Sequence, residues 1–190
     1  MSPLEILGFM LSVIAVWLTA RQHIWCWPIG VVSVIVYAVV FIDVKLYSDA
    51  ALQVIYIFLQ AYGWYIWLRT GPSLFIQRPV SRISGTTAAL LLAAGAAATG
   101  AVGYVMATRT DAALPYWDVG TTVFSLVAQW LMARKVLECW ALWIAVDVVY
   151  VGIYLAKDLR LTALLYGIFI ALACYGWQQW HSDLRNPRPA

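Results

Sequence analysis

The chain has 190 residues, of which 64% are hydrophobic and only 11% are charged, and its formal net charge is +3. Soluble globular domains have about 25% charged residues, so this composition excludes an ordinary soluble domain. The 11 Trp and 11 Tyr are typical of a membrane protein, in which these side chains gather at the two interfaces.

Seven apolar stretches follow one another along the chain. A helix needs about 20 apolar residues to cross a hydrocarbon core of about 30 Å. In chain order the stretches are 4–20, 27–42, 50–68, 86–107, 118–133, 139–156 and 161–180. The N-terminus lacks the basic region and cleavage site of a signal peptide. We therefore predict an all-α integral membrane protein whose residues 1–190 form a single membrane domain.

The first three stretches repeat as the last three. Residues 4–67 align with residues 117–180 at one fixed offset of 113, without a gap, and twenty of the 64 pairs are identical. Cys26-Trp27, for example, falls on Cys139-Trp140. Because an internal repeat determines architecture, we predict two three-helix units. The Ala/Gly-rich helix 86–107 would join them and pack closely against its neighbours.

The remaining segments are predicted to be connections. The longest is 69–85, which contains Gly71-Pro72 and three arginines and is typical of a surface connector. The tail 181–190 contains Asn186-Pro187 and is predicted to be frayed.

Lys and Arg residues are distributed unequally between the two sides. The connections after the first, third and fifth stretches and the tail carry eight of the 12: Arg21, Arg69, Arg78, Arg82, Arg134, Lys135, Arg185 and Arg188. The opposite connections carry four: Lys45, Arg109, Lys157 and Arg160. The positive-inside rule then predicts a cytoplasmic C-terminus and an external N-terminus. A single linker helix keeps both units in the same orientation. Such parallel repeats occur in the SWEET sugar carriers, and transporter sites lie near the midplane between repeats.

The stretch 139–156 predicts one wall of such a site. Six residues recur at helical spacing, on one stripe: Trp140, Trp143, Asp147, Tyr150, Tyr154 and Lys157. Asp147 is the only charged residue deep in any of the seven stretches. A carboxylate at that depth is costly and is by default functional, facing the interior or a wet cavity. The alternative is a structural hydrogen bond to a neighbouring helix.

Two further stripes are polar. One consists of Asp118, Thr122, Ser125 and Gln129, with Thr121 beside it, and the other of Gln53, Tyr56, Gln60, Gly63 and Trp67. Each side chain alone could simply join helices, at about 0.6–2 kcal/mol per pair. Three stripes on three helices favour a shared wet cavity.

The two repeats differ at the positions that matter most. At the offset of 113, Val34 corresponds to Asp147, and Gln60 corresponds to Ala173. The substrate is therefore expected to be asymmetric, with Tyr166 and Phe169 as an aromatic or apolar wall. Such a cavity suits a flat ring with a polar group and a positive charge, because Tyr and Trp faces attract cations.

Several motifs taken together resemble a known family. In the second half these are Trp117-Asp118-x-x-Thr121-Thr122-x-x-Ser125-Leu126, Leu131-Met132-x-Arg134-Lys135-x-x-Glu138-x-Trp140-x-x-Trp143, Val146-Asp147-Val148-x-Tyr150 and Lys157-x-Leu159-x-Leu161-Thr162-Ala163-x-Leu165-Tyr166. In the first half they are Trp27-Pro28-Ile29-Gly30 and Leu52-Gln53-x-x-Tyr56, followed by Tyr62-Gly63-Trp64-x-x-Trp67. The set resembles the PnuC transporters of nicotinamide riboside, over nearly the whole chain except the linker helix.

This resemblance implies a 3+1+3 core in the bacterial inner membrane, assembled as a homotrimer. It implies facilitated diffusion of nicotinamide riboside, which cytoplasmic phosphorylation then traps. Some family members carry Asn at the position of Asp147, so both a counter-ion and a hydrogen-bond acceptor remain open as its role. The predicted substrate-binding set is Gln53, Tyr56, Gln60, Trp64, Thr121, Thr122, Ser125, Gln129, Trp143, Asp147, Tyr150 and Phe169. Asp118 and Trp67 are the predicted gating residues.

Other classes of membrane protein fit the sequence less well. A retinal-binding receptor needs a lysine deep in its last helix, and 161–180 has none. A membrane enzyme needs a nucleophile–base pair or metal ligands, but His23 and His181 lie in a loop and in the tail. The three cysteines show no C-x-x-C spacing.

We therefore predict no catalytic residues, no metal and no cofactor. The expected partners are a small-molecule substrate and membrane lipid, without nucleic acid. A SWEET-like carrier of sugar or of another small vitamin is the alternative.

Overall fold

The computed structural model describes residues 3–43, 47–69, 79–110, 114–156, 158 and 160–185. These residues form seven helices: α1 (Pro3–Ala20), α2 (Cys26–Asp43), α3 (Tyr47–Arg69), α4 (Gly85–Arg109), α5 (Pro115–Ala133), α6 (Cys139–Ala156) and α7 (Arg160–Arg185). The predicted all-α class with seven helices is confirmed. The predictions made for Lys45, Gly71-Pro72, Arg78, Lys157 and 186–190 concern residues outside the described ranges.

Five of the described helices are long and apolar enough to cross a membrane, namely α1, α2, α3, α4 and α6. Leu and Phe side chains on their surfaces are widely exposed, as in Phe58 and Leu90. Lipid would cover such surfaces. Helix α5 is less apolar because it carries the Thr, Ser and Gln side chains of its polar stripe.

The largest difference from the predicted bounds is at the end of α7. The sequence predicts fraying from residue 181, but α7 continues to Arg185, so that prediction is wrong for residues 181–185. Asp183 accepts a hydrogen bond from Gln22 Nε2 at 2.5 Å, and Trp180 Nε1 donates to Thr19 O at 3.2 Å. These contacts attach the last turns of α7 to the end of α1.

Helices α1 and α5 end in the same way. Gln22 and Lys135 each adopt a left-handed backbone conformation, with φ of 57° and 53°. The following N–H groups then reach back five residues, from His23 to Leu18 O at 2.9 Å and from Val136 to Leu131 O at 3.0 Å. This is the Schellman pattern, which satisfies carbonyls that a helix end leaves without a donor.

The described end of the 69–85 connector is attached to the turn between α5 and α6. Ser81 O accepts from Leu137 N–H at 2.9 Å, and Glu138 Oε2 accepts from Ile83 N–H at 3.1 Å. Ser84 then begins α4 as its N-cap, since its Oγ accepts from Thr87 N–H at 3.1 Å.

The chain forms two compact units. The first contains 1–80, 133–135 and 175–190, and the second contains 81–132 and 136–174. In the second unit, Gly95 of α4 lies against the ring of Phe124, and Gly103 lies against Tyr116. Both contacts are too close for a Cβ without movement of the ring, so the small residues of α4 allow it to pack tightly against α5.

Candidate functional site

Asp147 lies at the middle of α6, as the ninth of its 18 residues, and its side chain is only 5% exposed. An acid at the centre of a membrane helix costs about 3 kcal/mol on insertion scales. Among the described residues, none forms an ion pair or a hydrogen bond with this carboxylate. Asp147 is therefore a buried acceptor that a ligand could satisfy.

Trp143 and Tyr150 flank Asp147 on the same face, one turn away on either side. The Nε1 atom of Trp143 is buried and has no hydrogen-bond partner within the described part of the chain. Buried indole N–H groups usually find an acceptor, so this donor is available to a ligand. The side chain of Tyr150 lies next to that of Thr121 of α5, which brings the stripes of α5 and α6 together.

The stripe on α5 is buried at Thr121, Ser125 and Gln129. Thr121 Oγ1 donates to two carbonyls of the preceding turn at 3.0 Å, and Ser125 Oγ donates to Thr122 O at 2.8 Å. Because these hydroxyl protons are used within the helix, the oxygen atoms can act towards other groups mainly as acceptors. Thr122 itself is half-buried.

An aromatic cluster joins α6 to α7. The ring of Tyr166 lies 4.7 Å from that of Tyr150, 5.3 Å from that of Tyr154 and 6.0 Å from that of Phe169, between centroids. Tyr166 is the centre of this cluster, whereas the predicted binding set contains only Tyr150 and Phe169. The spacing of the α6 stripe already places Tyr154 on the same face as Tyr150.

The corresponding part of the first repeat has its hydroxyl groups satisfied internally. The hydroxyl oxygens of Ser12 and Ser33 each lie 3.0 Å from Gly8 O and 2.7 Å from each other, so one hydroxyl can donate to Gly8 O and the other to its neighbour. Val34 is adjacent and apolar, in the position that corresponds to Asp147. The buried carboxylate of α6 therefore has no counterpart on α2.

The predicted residues of α3 belong to the first compact unit, and those of α5, α6 and most of α7 to the second. Gln53, Tyr56 and Gln60 are half-buried. The amide of Gln60 lies against Gly30 of α2, so close that a Cβ on that glycine would overlap it. Trp64 is 39% exposed.

The two predicted gating residues have different surroundings. Asp118 is exposed in the first turn of α5. Trp67 is buried at the end of α3, where its Nε1 donates to Ala133 O at 3.1 Å. Its ring lies 4.2 Å from Lys135 Nζ and meets the ring of Trp27 edge-on at 5.2 Å.

Sequence reasoning missed the polar residues around Trp67. The sequence predicts Lys135 to be a loop charge, but its side chain is only 1% exposed. Its Nζ donates to Gln22 Oε1 at 3.0 Å, and Gln22 in turn donates to Asp183. The available signal was that Gln22 and Lys135 correspond at the offset of 113 and are both polar.

Neither a metal site nor a disulfide is found in the described ranges. No three His, Cys, Asp or Glu side chains there could hold a metal ion. Cys26 and Cys139 are buried as free thiols, and Cys174 is exposed.

Comparisons with known sequences match the chain over almost its whole length. Residues 2–182 match the family described as "Nicotinamide mononucleotide transporter". The chain is 25% identical to the nicotinamide riboside transporter PnuC of Escherichia coli strain K12, over 98% of this chain and 88% of that protein. It is 29% identical to the riboflavin/roseoflavin transporter RibM of Streptomyces davaonensis, over 97% and 88%. It is 30% identical to PnuC of Neisseria mucosa, over 80% and 61%.

A solved structure has the same fold. It is the crystal structure of the vitamin B3 transporter PnuC, which superposes with a TM-score of 0.77 and covers 96% of this chain and 82% of its own. At 24% sequence identity, this similarity establishes the fold alone.

Proposed function

Since the chain belongs to the nicotinamide mononucleotide transporter family, we propose that it carries nicotinamide riboside across the bacterial inner membrane. Two relatives that match it at 25% and 30% identity are named as transporters of this nucleoside. The fold of the solved vitamin B3 transporter is the same.

The observation that carries the proposal is the buried carboxylate of Asp147, which has no ion-pair partner among the described residues. Nicotinamide riboside contains a cationic pyridinium ring, an amide and ribose hydroxyls. Asp147 can accept from a hydroxyl or balance the ring charge, and Trp143 Nε1 can donate to an oxygen. The rings of Tyr150 and Tyr166 provide faces that attract a cation.

The same carboxylate disfavours the phosphorylated mononucleotide, although the family name mentions it. Helices α5 and α6 contain no Lys or Arg, so neither supplies a cation that could pair with a phosphate. A phosphate beside Asp147 would bring like charges together in a medium of low dielectric constant. The nucleoside, and not the nucleotide, fits this charge distribution.

A flavin is the second candidate substrate. The 29% identity to RibM lies between the 25% and 30% identities to the two nicotinamide riboside transporters. The aromatic cluster on α6 and α7 could also stack against a wider ring system. A flavin ring is uncharged, however, and would not use the charge of Asp147. A sugar has neither an aromatic ring nor a positive charge for the cluster and Asp147 to recognise, so a SWEET-like sugar carrier is not favoured.

We infer the transport mode from how few acidic, basic or histidine side chains lie deep in the bundle. Asp147 is the only one that the sequence places there, and a proton relay would need a second acid or histidine. Transport is therefore facilitated diffusion, with phosphorylation in the cytoplasm as the trapping step. The protein itself has no enzymatic role.

Within one chain, residues 4–67 and 117–180 are parallel repeats. The N-terminus lies outside the cell and the C-terminus lies in the cytoplasm. The matching Schellman turns at Gln22 and Lys135 support the repeats. The excess of Lys and Arg on the side of the C-terminal tail supports the orientation. The homotrimer rests on the family resemblance.

A binding titration with purified protein tests the proposed substrate. Nicotinamide riboside should bind, whereas nicotinamide mononucleotide, riboflavin and glucose should bind at least tenfold more weakly. Riboflavin binding as tight as that of the riboside would favour the flavin candidate. Equal binding of the mononucleotide would contradict the charge argument based on Asp147.

A further inference from the structure

Three polar side chains, of which Gln22 and Lys135 are buried and Asp183 is half-buried, are joined by hydrogen bonds in the first unit. Lys135 Nζ donates to Gln22 Oε1 at 3.0 Å, and Gln22 Nε2 donates to Asp183 Oδ2 at 2.5 Å. Lys135 is 1% exposed and lies over the ring of Trp67. The group links the turn after α1, the turn after α5 and the last turns of α7.

Gln22 and Lys135 have backbone conformations that normally favour glycine. With φ of 57° and 53°, both occupy the position after a helix end where glycine is the usual residue, because it has no Cβ. Non-glycine residues persist in such strained positions when their surroundings require them, and this is common at sites of function. Here the side chains explain why glycine is absent, because a glycine at either position could not form the hydrogen bonds that join Lys135 to Gln22 and Gln22 to Asp183.

Gln22 and Lys135 also occupy equivalent positions in the two sequence repeats. They correspond at the offset of 113, and their side chains touch. A residue can contact its own counterpart only near the axis that relates the two repeats. Two further bonds cross over in the same way, from Trp67 to Ala133 O and from Trp180 to Thr19 O. In repeat transporters the substrate site lies at the interface between repeats, and each of these bonds joins a residue of one repeat to the other repeat or to the helix end that follows it.

We propose that Gln22, Lys135 and Asp183 form a polar lock, which keeps the cytoplasmic end closed and comes apart once in each transport cycle. This inference rests on the proposed function as a transporter, but not on the identity of the substrate. The Trp67 ring beneath Lys135 blocks the closed end, and the polar lock keeps this ring in position. Opening moves the Lys135 ammonium away from both Trp67 and Gln22 and transfers it to water.

Cys26 is a native reporter of this opening. Its side chain is 2% exposed and lies close to the side chains of Thr19 and Lys135. The chain has three cysteines, so replacement of Cys139 and Cys174 by Ala leaves Cys26 as the only thiol. Its rate of reaction with a membrane-impermeant maleimide in inside-out vesicles then measures how often the end opens.

Lys135→Met should accelerate this labelling about tenfold or more, because a charge-assisted hydrogen bond no longer holds the closed state. Lys135→Gln should have a smaller effect, since two facing amides can still form a hydrogen bond. Arg134→Met removes an equal charge from the preceding position, which is exposed, and should leave the labelling rate unchanged. Asp183→Asn weakens the hydrogen bond from Gln22 without removing it, so it should accelerate labelling by a smaller factor.

Melting temperature and ligand binding of the same variants complete the test. An unchanged labelling rate in a folded Lys135→Met protein would overturn the lock. So would failure of both Lys135→Met and Asp183→Asn to fold, because a contact that opens in each cycle cannot be essential for folding. Accelerated labelling in a protein that binds no nicotinamide riboside would leave the lock standing and refute the proposed substrate instead.

Discussion

Asp147 is unusual because the protein buries a carboxylate at the middle of a helix without giving it a partner among the described residues. Buried charges in proteins are normally paired, since desolvation costs more than an isolated charge can recover. By contrast, Ser12 and Ser33 in the first repeat are joined to each other and to Gly8 O. A ligand that pairs with Asp147 would therefore explain why this carboxylate is buried, whereas packing within the protein does not.

Substitution of Asp147 distinguishes its possible roles. Asp147→Ala should weaken binding of nicotinamide riboside by about 1.5–3 kcal/mol, the scale of a hydrogen bond to a charged group, and leave the melting temperature nearly unchanged. Asp147→Asn should weaken it less, because an amide oxygen still accepts from a ribose hydroxyl. Calorimetric titration of both variants measures the difference.

Ser33→Ala is the matched control for this comparison, because Ser33 is equally buried but bonded within the protein. It should lower the melting temperature without changing affinity. If Asn and Ala at position 147 were equally harmful, Asp147 would be a counter-ion to the pyridinium. Normal binding by destabilised Asp147 variants would make the residue purely structural.

The stripes that periodicity predicts on α5 and α6 do come together, since the side chains of Thr121 and Tyr150 lie next to each other. Helical spacing is readable from sequence because it depends only on the chain's own geometry. The lock is not predictable in this way. A left-handed conformation at Gln22 or Lys135 has no sequence signal when the residue is not glycine, and a charge beside a helix end looks the same whether it is buried or exposed.

Close approach between α2 and α3 depends on a glycine. A Cβ added to Gly63 would overlap the ring of Trp27, which is itself buried. Gly63 and Trp27 correspond to Gly176 and Trp140 in the second repeat. Both repeats therefore contain the same Gly and Trp at equivalent positions.

Gly63→Ala should destabilise the protein by about 1–3 kcal/mol, the usual cost of overpacking a well-filled core. The measurement is thermal unfolding in detergent. Gly100→Ala on α4 is the control, since no atom lies within 4 Å of its added Cβ. It should be neutral or slightly stabilising, because Ala has the higher helix propensity. Equal melting temperatures for the two variants would contradict the packing argument.

Helix positions are predicted well from the sequence and helix ends less well. Apolar length locates a membrane helix, but the end of α7 depends on Asp183 and Trp180, which bond to the turn after α1 and to the end of α1. Those contacts join residues 161 positions apart in the sequence. Local propensity cannot detect such a contact, so the prediction that the tail frays from residue 181 is wrong.

At the scale of the whole molecule, the two repeats differ in the polarity of their deep positions. The first lacks a deep charge, with Val34 in place of an acid, while the second has Asp147 and the aromatic cluster. An asymmetric site suits an asymmetric substrate, such as a ring joined to a sugar. In the proposed mechanism, transport is not coupled to protons, and a phosphorylating enzyme inside the cell would provide the driving force.

Uptake of labelled nicotinamide riboside into proteoliposomes that contain neither a kinase nor an ion gradient tests this account most directly. The internal concentration should rise to the external concentration and stop there, and an imposed pH or sodium gradient should not change that limit. Nicotinamide mononucleotide should neither enter nor compete. Absence of riboside uptake, equal entry of the mononucleotide, or accumulation above the external concentration under a gradient would contradict the account.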